Sequence, residues 1–246
     1  MTFKLFLAFE GIMIKIKVIM SLASNVNNEI TCLSLQKLNL IDVEYDIVNL
    51  KNGPSTFVNG RIDVSLITPE LIELSKSAEN EGFHGIYVSC YYDPGIEAIR
   101  EAVKIPVMAP MMASLATAQL VAQKYGVLAV VEQSKSIFIS LIRSLNLESN
   151  VSGIYVVDIN PQDLKEKPIF ISALEKCCLQ AKQEGAQAMI LGCTATITPD
   201  VTKALSNNLK NRGIFFPLID GTDASIMQLY ALCKQSLCHS GLAYHT

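Results

Sequence analysis

An internal repeat constrains the fold of this chain more than any other feature. The first copy, Glu81–Cys90, reads EGFHGIYVSC, and the second copy, Glu184–Cys193, reads EGAQAMILGC. In both copies a helical pattern ends at Glu-Gly, a short apolar run follows, and a cysteine comes eight residues after the glycine. A proline-containing helix start and a second apolar run then follow. The repeat predicts two βαβ units, each presenting one thiol at the carboxyl edge of a strand, where α/β folds place their ligand sites.

The remainder of the chain continues this alternation of strand-like and helix-like segments from Ile14 almost to the end. The predicted fold class is therefore α/β, with two pseudo-symmetric Rossmann-like lobes, parallel sheets and an interdomain cleft. Lobe 1 is predicted to comprise residues 1–112 plus 217–246 and to carry Cys90, and lobe 2 to comprise residues 113–216 and to carry Cys193. Two connections then cross the cleft.

Two local features complete this prediction. Pro69, Pro94 and Pro199 suit the first turn of a helix, where the N–H group that proline lacks is not needed. The stretch Lys51–Ser65 is long and irregular, and it fits either a lid or binding loop, or a plain surface excursion.

Composition narrows the classes of function. Only 17% of the 246 residues are charged and the net charge is −3, so no basic face for nucleic acid is expected, and a small molecule is the expected partner. The apolar start, Met1–Ile19, is interrupted by Glu10, Lys15 and Lys17, which argues against a signal peptide or a membrane span. A homo-oligomer is left open.

The cysteine pattern points to a reducing compartment. Seven cysteines, odd in number and irregular in spacing, do not resemble a disulfide framework, and a cytoplasmic location is predicted. No metal-binding spacing and no nucleotide-binding glycine motif is present, so neither a metal nor a cofactor is predicted. Four cysteines on helical segments are predicted to be buried small hydrophobes: Cys32, Cys177, Cys178 and Cys233.

Cys90 and Cys193 differ because each precedes a predicted helix, whose free N–H groups favour the thiolate over the thiol. The three histidines are not placed like the base of a nucleophilic triad. Two thiols facing each other across a cleft can perform another reaction. One removes a proton from a carbon as thiolate, the other donates a proton to the opposite face, and backbone N–H groups stabilise the enolate.

Three segments resemble the aspartate/glutamate/hydantoin racemase superfamily, and most closely its hydantoin and allantoin racemase branch. They are Asn52-Gly53-Pro54, the stretch CYYDPGIEA from Cys90 to Ala98, and LGCT ending at Thr194 with Ile219-Asp220-Gly221 downstream. The resemblance covers Ile14 to Cys233. It implies a pseudo-symmetric pair of α/β domains, Cys90 and Cys193 as acid/base residues, and no cofactor.

The chain departs from that branch where ligand groups are usual. An Asn-Pro-Asn-Thr stretch is replaced by Met20-Ser21-Leu22-Ala23, which keeps only the following Ser24, and Met112 stands at the position of a frequent glutamate. The predicted substrate-binding residues are Ser24, Tyr91, Met112 and Thr194. Because apolar residues replace polar ones, a substrate with an apolar substituent is expected to be preferred over allantoin or aspartate.

The leading functional prediction is a cofactor-independent racemase or epimerase acting on a carbon next to a carbonyl, with a hydantoin-like or amino-acid substrate. A decarboxylase or cis-trans isomerase on the same fold is the enzymatic alternative. The non-catalytic alternative is a protein that binds a small molecule in the same cleft without turnover.

Overall fold

The computed structural model describes residues 13–157, 159 and 166–244. Residues 1–12, the apolar start considered above, lie outside the described part. The strands are β1 Ile14–Met20, β2 Val43–Asn49, β3 Gly85–Ser89, β4 Val107–Met108, β5 Tyr125–Ala129, β6 Val151–Val156, β7 Ala188–Leu191 and β8 Leu218–Asp220. The helices are α1 Asn28–Lys37, α2 Arg61–Asn80, α3 Ile96–Ala102, α4 Pro110–Val121, α5 Gln133–Ser144, α6 Lys167–Gln183, α7 Pro199–Asn211, α8 Gly221–Lys234 and α9 Gly241–Tyr244, with a 3-10 turn at Glu148–Asn150.

The strands form two parallel four-stranded sheets with matching topology. The first sheet has the order β2-β1-β3-β4 and the second has the order β6-β5-β7-β8. The inner strands β3, β5 and β7 are buried along their whole length, because helices cover both faces of a parallel sheet. The predicted α/β class with two parallel sheets is confirmed.

In each sheet the order of the strands reverses at one point. This point lies between β1 and β3 in the first sheet and between β5 and β7 in the second. Crevices at the carboxyl ends of strands beside such a switch point are the usual ligand sites of α/β folds. Cys90 directly follows β3, and Cys193 follows β7 after one glycine. The two thiols thus occupy equivalent places in the repeated sheets.

Helices α4 and α8 connect the two halves. Each follows the last strand of one sheet, yet α4 packs on β7 and β8, and α8 packs on β1, β3 and β4. The two helices also pack on each other. The predicted lobe boundaries, residues 1–112 plus 217–246 and residues 113–216, remain a prediction, and the structure adjusts one detail. Strand β8 is hydrogen-bonded to β7, so the return to the first sheet follows Asp220 rather than beginning at residue 217.

Helix α8 is held on the first sheet by an ion pair whose carboxylate is buried. Asp42, next to β2, is paired with Lys234 and accepts hydrogen bonds from the Tyr230 hydroxyl at 3.0 and 3.2 Å. The hydrogen bond from Lys234 lowers the pKa of Asp42 below its usual value, although burial opposes this shift. The carboxylate therefore helps to hold the C-terminal end of α8 in place.

Three sequence predictions need correction. Pro69 lies inside α2, which begins at Arg61, so the irregular stretch ends near residue 60 rather than 65. Pro94 precedes α3 by two residues, whereas Pro199 does open α7. Cys32 is exposed and Cys233 half-buried, while Cys177 and Cys178 are buried as predicted. Within the described ranges, no helix has the length and apolar character needed to cross a membrane.

Candidate functional site

The turn after β3 carries Cys90 toward the second sheet. Cys90 is half-buried, its N–H donates to the Val88 carbonyl at 3.0 Å, and its own carbonyl accepts the Asp93 N–H at 3.0 Å. The two residues that follow Cys90, Tyr91 and Tyr92, are buried. This tight turn leaves the thiol at the carboxyl edge of the first sheet.

The two tyrosines reach helices that belong to the other half. The Tyr91 hydroxyl lies 3.2 Å from the Ser114 hydroxyl on α4, and the Tyr92 hydroxyl lies 2.9 Å from the Ser134 hydroxyl on α5. Both tyrosine rings pack against Phe138, with centroid separations of 6.3 and 6.0 Å. The Cys90 turn is therefore fastened to α5.

Phe138 also contacts the turn that carries the second thiol. A Cβ atom added to Gly192 would lie 2.9 Å from the Phe138 ring and 2.0 Å from the Leu128 carbonyl oxygen. Only glycine fits this close approach, and the residue that follows it is Cys193. Cys193 is half-buried, and its N–H donates to Leu191 at 2.8 Å.

The electrostatics agree with this proximity. The pKa of the Cys90 thiol is raised to about 12, mainly by burial, and the negative charges of Asp93 and Cys193 act in the same direction. The Tyr92 N–H and the Ser21 hydroxyl lower the pKa of Cys90, but less than burial raises it. Cys90 is thus a protonated thiol in the ligand-free protein, and Cys193 lies close enough for its charge to act on Cys90.

This outcome corrects the expectation that helix termini favour the thiolate at Cys90. Helix α3 begins at Ile96, six residues after the thiol. The favourable field of a helix end decays within its first turn, so desolvation dominates at Cys90.

The other predicted site residues are placed as follows. The Ser24 hydroxyl donates to the Ser55 carbonyl in the irregular stretch. The Met112 sulfur lies 2.6 Å from the Arg100 guanidinium. Tyr91 bonds to Ser114, as described, and packs on Gly221. These three side chains have partners inside the protein, whereas Thr194 is half-buried directly after Cys193. Substrate binding by all four remains a prediction.

Two residues of this region were not singled out from the sequence. Ser21 is buried at the end of β1, and its hydroxyl lacks a well-formed hydrogen bond within the described residues, although it lies near enough to Cys90 to lower that pKa. The sequence did contain a signal for Ser21, because this residue directly follows β1, the strand beside β3. Phe138, in the middle of α5, carries no local signal of its role.

The irregular stretch lies against the turn after β1. The Ala23 N–H donates to the Pro54 carbonyl at 2.9 Å, and Glu70 accepts the N–H groups of Lys51 and Asn52 at 2.6 and 3.1 Å. Arg61, where the stretch ends and α2 begins, donates across to α5, to the Ser136 carbonyl at 3.1 Å and the Ser140 hydroxyl at 2.8 Å. The stretch is thus tied to both halves of the molecule.

Comparison with known proteins gives a consistent result. A profile of the family Asp/Glu/Hydantoin racemase matches residues 35–229. A hydantoin racemase of Rhizobium meliloti is 24% identical over 216 residues, which cover 85% of each chain. Another, of Pseudomonas sp. (strain NS671), is 27% identical over 187 residues, covering 75% of this chain and 72% of the relative.

Solved structures agree on the fold. An allantoin racemase from Klebsiella pneumoniae superposes with a TM-score of 0.83 at 21% identity, covering 94% of this chain and 93% of that one. A glutamate racemase from Bacillus anthracis superposes with a TM-score of 0.63 at 16% identity, covering 90% and 82%. The chain therefore belongs to the Asp/Glu/hydantoin racemase family and is an isomerase of the racemase type.

Proposed function

We propose that the protein is a cofactor-independent racemase in which Cys90 and Cys193 exchange protons with opposite faces of a carbon next to a carbonyl. One observation carries the proposal: the two thiols follow equivalent strands, β3 and β7, in repeated sheets, and they are linked through the contacts of Phe138. Two acid/base groups on opposite sides of one carbon are what inversion of its configuration requires.

The proton balance assigns a role to each thiol. The Cys193 thiolate removes the proton on the carbon, and the electron pair of the C–H bond moves into the carbonyl to form an enolate. The Cys90 thiol then donates its proton to the opposite face. The product has inverted configuration, Cys193 is a thiol and Cys90 a thiolate. The reverse direction starts from this second form, so the enzyme returns to its first form by the reverse reaction or by proton exchange with water.

Backbone N–H groups are proposed to hold the enolate oxygen. The N–H groups of Cys90 and Cys193 are already bonded to the carbonyls of Val88 and Leu191. The next N–H groups along each turn, those of Tyr91 and Thr194, are therefore the proposed donors. Fixed donors of this kind stabilise a developing oxyanion strongly because they need no reorganisation.

The surrounding charges favour a neutral substrate. The ionisable groups that act on Cys90, Tyr91 and Tyr92 are acids, among them Asp93 and Asp220. The carboxylates of a substrate such as aspartate or glutamate would be repelled by these groups and would lose their hydration. The aromatic rings beside Cys90 provide apolar contacts instead. A hydantoin-like ring with an apolar substituent is accordingly the proposed substrate, in preference to aspartate or glutamate.

The test is proton exchange in D2O with 5-benzylhydantoin, 5-isobutylhydantoin, allantoin, aspartate and glutamate. We expect the substituted hydantoins to racemise with the highest kcat/KM. Cys90→Ser and Cys193→Ser should each abolish net racemisation, because an alcohol is not ionised at neutral pH, while either variant can still exchange the proton of one enantiomer. Cys32→Ser, at an exposed cysteine on α1, is the matched control.

The same experiment decides between the alternatives. Full racemisation in either single variant of the two thiols contradicts the two-thiol mechanism. Decarboxylation requires only one thiol donor, so retention of both thiols favours racemisation. A ligand that raises the thermal stability of the protein yet never exchanges its proton would indicate binding without turnover.

A further inference from the structure

Asp93 has an unusual conformation for a residue so close to the thiol. It follows Cys90 by three residues, it is buried, and its φ angle is +44°. Residues other than glycine rarely adopt this left-handed region, and they do so where the surroundings compensate for the strain. Here the Asp93 N–H donates to the Cys90 carbonyl, which closes the turn that carries the thiol.

The Asp93 carboxylate holds the start of α4. Its Oδ1 accepts the Met111 N–H at 2.9 Å, and its Oδ2 accepts the Met112 N–H at 2.8 Å. The residue at the N-cap of α4, Ala109, has no side chain that can do this. Asp93 therefore satisfies two otherwise unpaired helix N–H groups from outside the helix, and its charge suits the positive end of the helix dipole.

Helix α4 carries this connection to the second thiol. It packs on β7, the strand that leads to Cys193, and on the neighbouring β8. We infer that Asp93 is a positioning residue, whose carboxylate joins the Cys90 turn to α4 and thereby fixes the Cys90 sulfur relative to Cys193. This inference rests on the proposed function, since it gives Asp93 a purpose in two-thiol chemistry.

The second half of the repeat has no equivalent of the link between the Asp93 carboxylate and the start of α4. Thr196 stands three residues after Cys193, as Asp93 stands three residues after Cys90. The Thr196 hydroxyl is buried and has no hydrogen-bond partner among the described residues. Helix α8, the counterpart of α4, is instead capped by its own Asp220. The contrast shows that the repeat does not require an acid at this position, so Asp93 serves the Cys90 side specifically.

The charge of Asp93 also acts on its neighbours. The ionisable groups around it are Cys90 and Tyr87 on the β3 side and Arg100 on α3, while α4 supplies backbone N–H groups. Burial raises the pKa of Asp93 more than the two N–H bonds and Arg100 lower it, and the result is a pKa of about 7. Above neutral pH the ionised carboxylate opposes ionisation of Cys90. Removal of the charge should therefore shift the ionisation of Cys90 to lower pH.

Asp93→Asn tests the inference, with Asp93→Glu and Glu79→Gln beside it. Asparagine offers one oxygen for two N–H groups and carries no charge. Glutamate keeps the charge but moves the oxygens by one methylene. Glu79 is the matched control, because its carboxylate also accepts two successive N–H groups, those of Lys104 and Ile105, at 2.7 and 3.0 Å.

Two readouts do not need a substrate. Dibromobimane bridges neighbouring thiols, and peptide mass spectrometry gives the yield of the Cys90–Cys193 bridge. Alkylation of Cys90 by iodoacetamide against pH, followed in the same way, reports its ionisation. In Asp93→Asn we expect the bridging yield to fall several-fold and the alkylation curve to move to lower pH. Asp93→Glu should retain the alkylation curve of the parent but not its bridging yield, and Glu79→Gln should retain both.

Racemisation adds a third readout. A displaced thiol slows proton transfer more than binding, so Asp93→Asn should lower kcat about tenfold or more, with little change in KM. The inference is overturned if folded Asp93→Asn keeps the bridging yield and the alkylation curve of the parent. If Asp93→Asn does not fold, a parent-like bridging yield in Asp93→Glu overturns it. A parent that bridges the thiols but racemises nothing would contradict the proposed function alone.

Discussion

Gly192, the residue before Cys193, offers a sharp test of how the second thiol is placed. An alanine Cβ at this position would lie 2.0 Å from the Leu128 carbonyl oxygen and 2.9 Å from the Phe138 ring. The oxygen belongs to the backbone of β5 and cannot rotate away. The Gly192 N–H donates to the same oxygen at 3.1 Å, so any shift that relieves the clash also weakens this hydrogen bond.

The expected loss of stability follows from these two contacts. Overpacking of a rigid site costs about 1–3 kcal/mol, and the lost hydrogen bond costs about 1 kcal/mol more. Gly192→Ala should therefore reduce the free energy of unfolding by about 2–4 kcal/mol. Because the displaced segment leads directly into Cys193, kcat for racemisation should fall as well, by about a hundredfold for a displacement near 1 Å.

Gly185→Ala is the matched control. This glycine begins the same repeat unit and has a φ angle of +93°, but a Cβ there would have nothing within 4 Å. The strain of the left-handed backbone should cost about 1–2 kcal/mol without any effect on kcat. Urea unfolding and steady-state racemisation measure both variants. An unfolding free energy of Gly192→Ala within about 0.5 kcal/mol of the parent, with kcat unchanged, would refute this account of the turn.

Two further predictions concern parts of the molecule away from the thiols. Arg61→Ala removes the two hydrogen bonds to α5, so the irregular stretch should move more freely. The KM for racemisation should then rise more than kcat falls. Unchanged kinetics would mean that this link does not control access of the substrate to the site. Asp42→Asn should lower the urea midpoint at pH 7, because Lys234 loses its charged partner and the Tyr230 hydroxyl a strong acceptor. Since the folded-state pKa of Asp42 lies below 3.8, its contribution is present above about pH 4 and is lost as pH falls through that pKa. The difference between Asp42→Asn and the parent should therefore shrink in acid, and a constant difference would contradict the assignment.

The strands were predictable from sequence because their signal is local. Strands β3, β5 and β7 are short, mostly apolar runs, and the repeated Glu-Gly and cysteine landmarks delimit β3 and β7. The start of α2 was missed because Pro69 looked like a first-turn residue. The helix actually begins after Gly60, and the Asp63 carboxylate accepts the Asn59 N–H at 2.7 Å. This turn signal was weaker in the sequence than the proline.

The candidate site was only partly predictable. Cys90 and Cys193 were found because strand ends and repeat positions are visible in the sequence. Phe138 and Ser134 join the site from α5, more than forty residues along the chain from Cys90, and neither is marked by any local pattern. The acidity of Cys90 was predicted in the wrong direction, because burial depends on tertiary packing, whereas a helix start can be recognised locally.

The asymmetry around the two thiols has a kinetic consequence for a substrate with one stereocentre. Enantiomers have equal free energies, so kcat/KM must be the same in the two directions. The two protonation forms of the enzyme are not equivalent, because burial and Asp93 oppose the form in which Cys90 is the thiolate. The enantiomer that reacts with the disfavoured form should therefore show a higher KM and a proportionately higher kcat. Equal values of both constants for the two enantiomers would mean that the environment of Cys90 changes when substrate displaces water from the site.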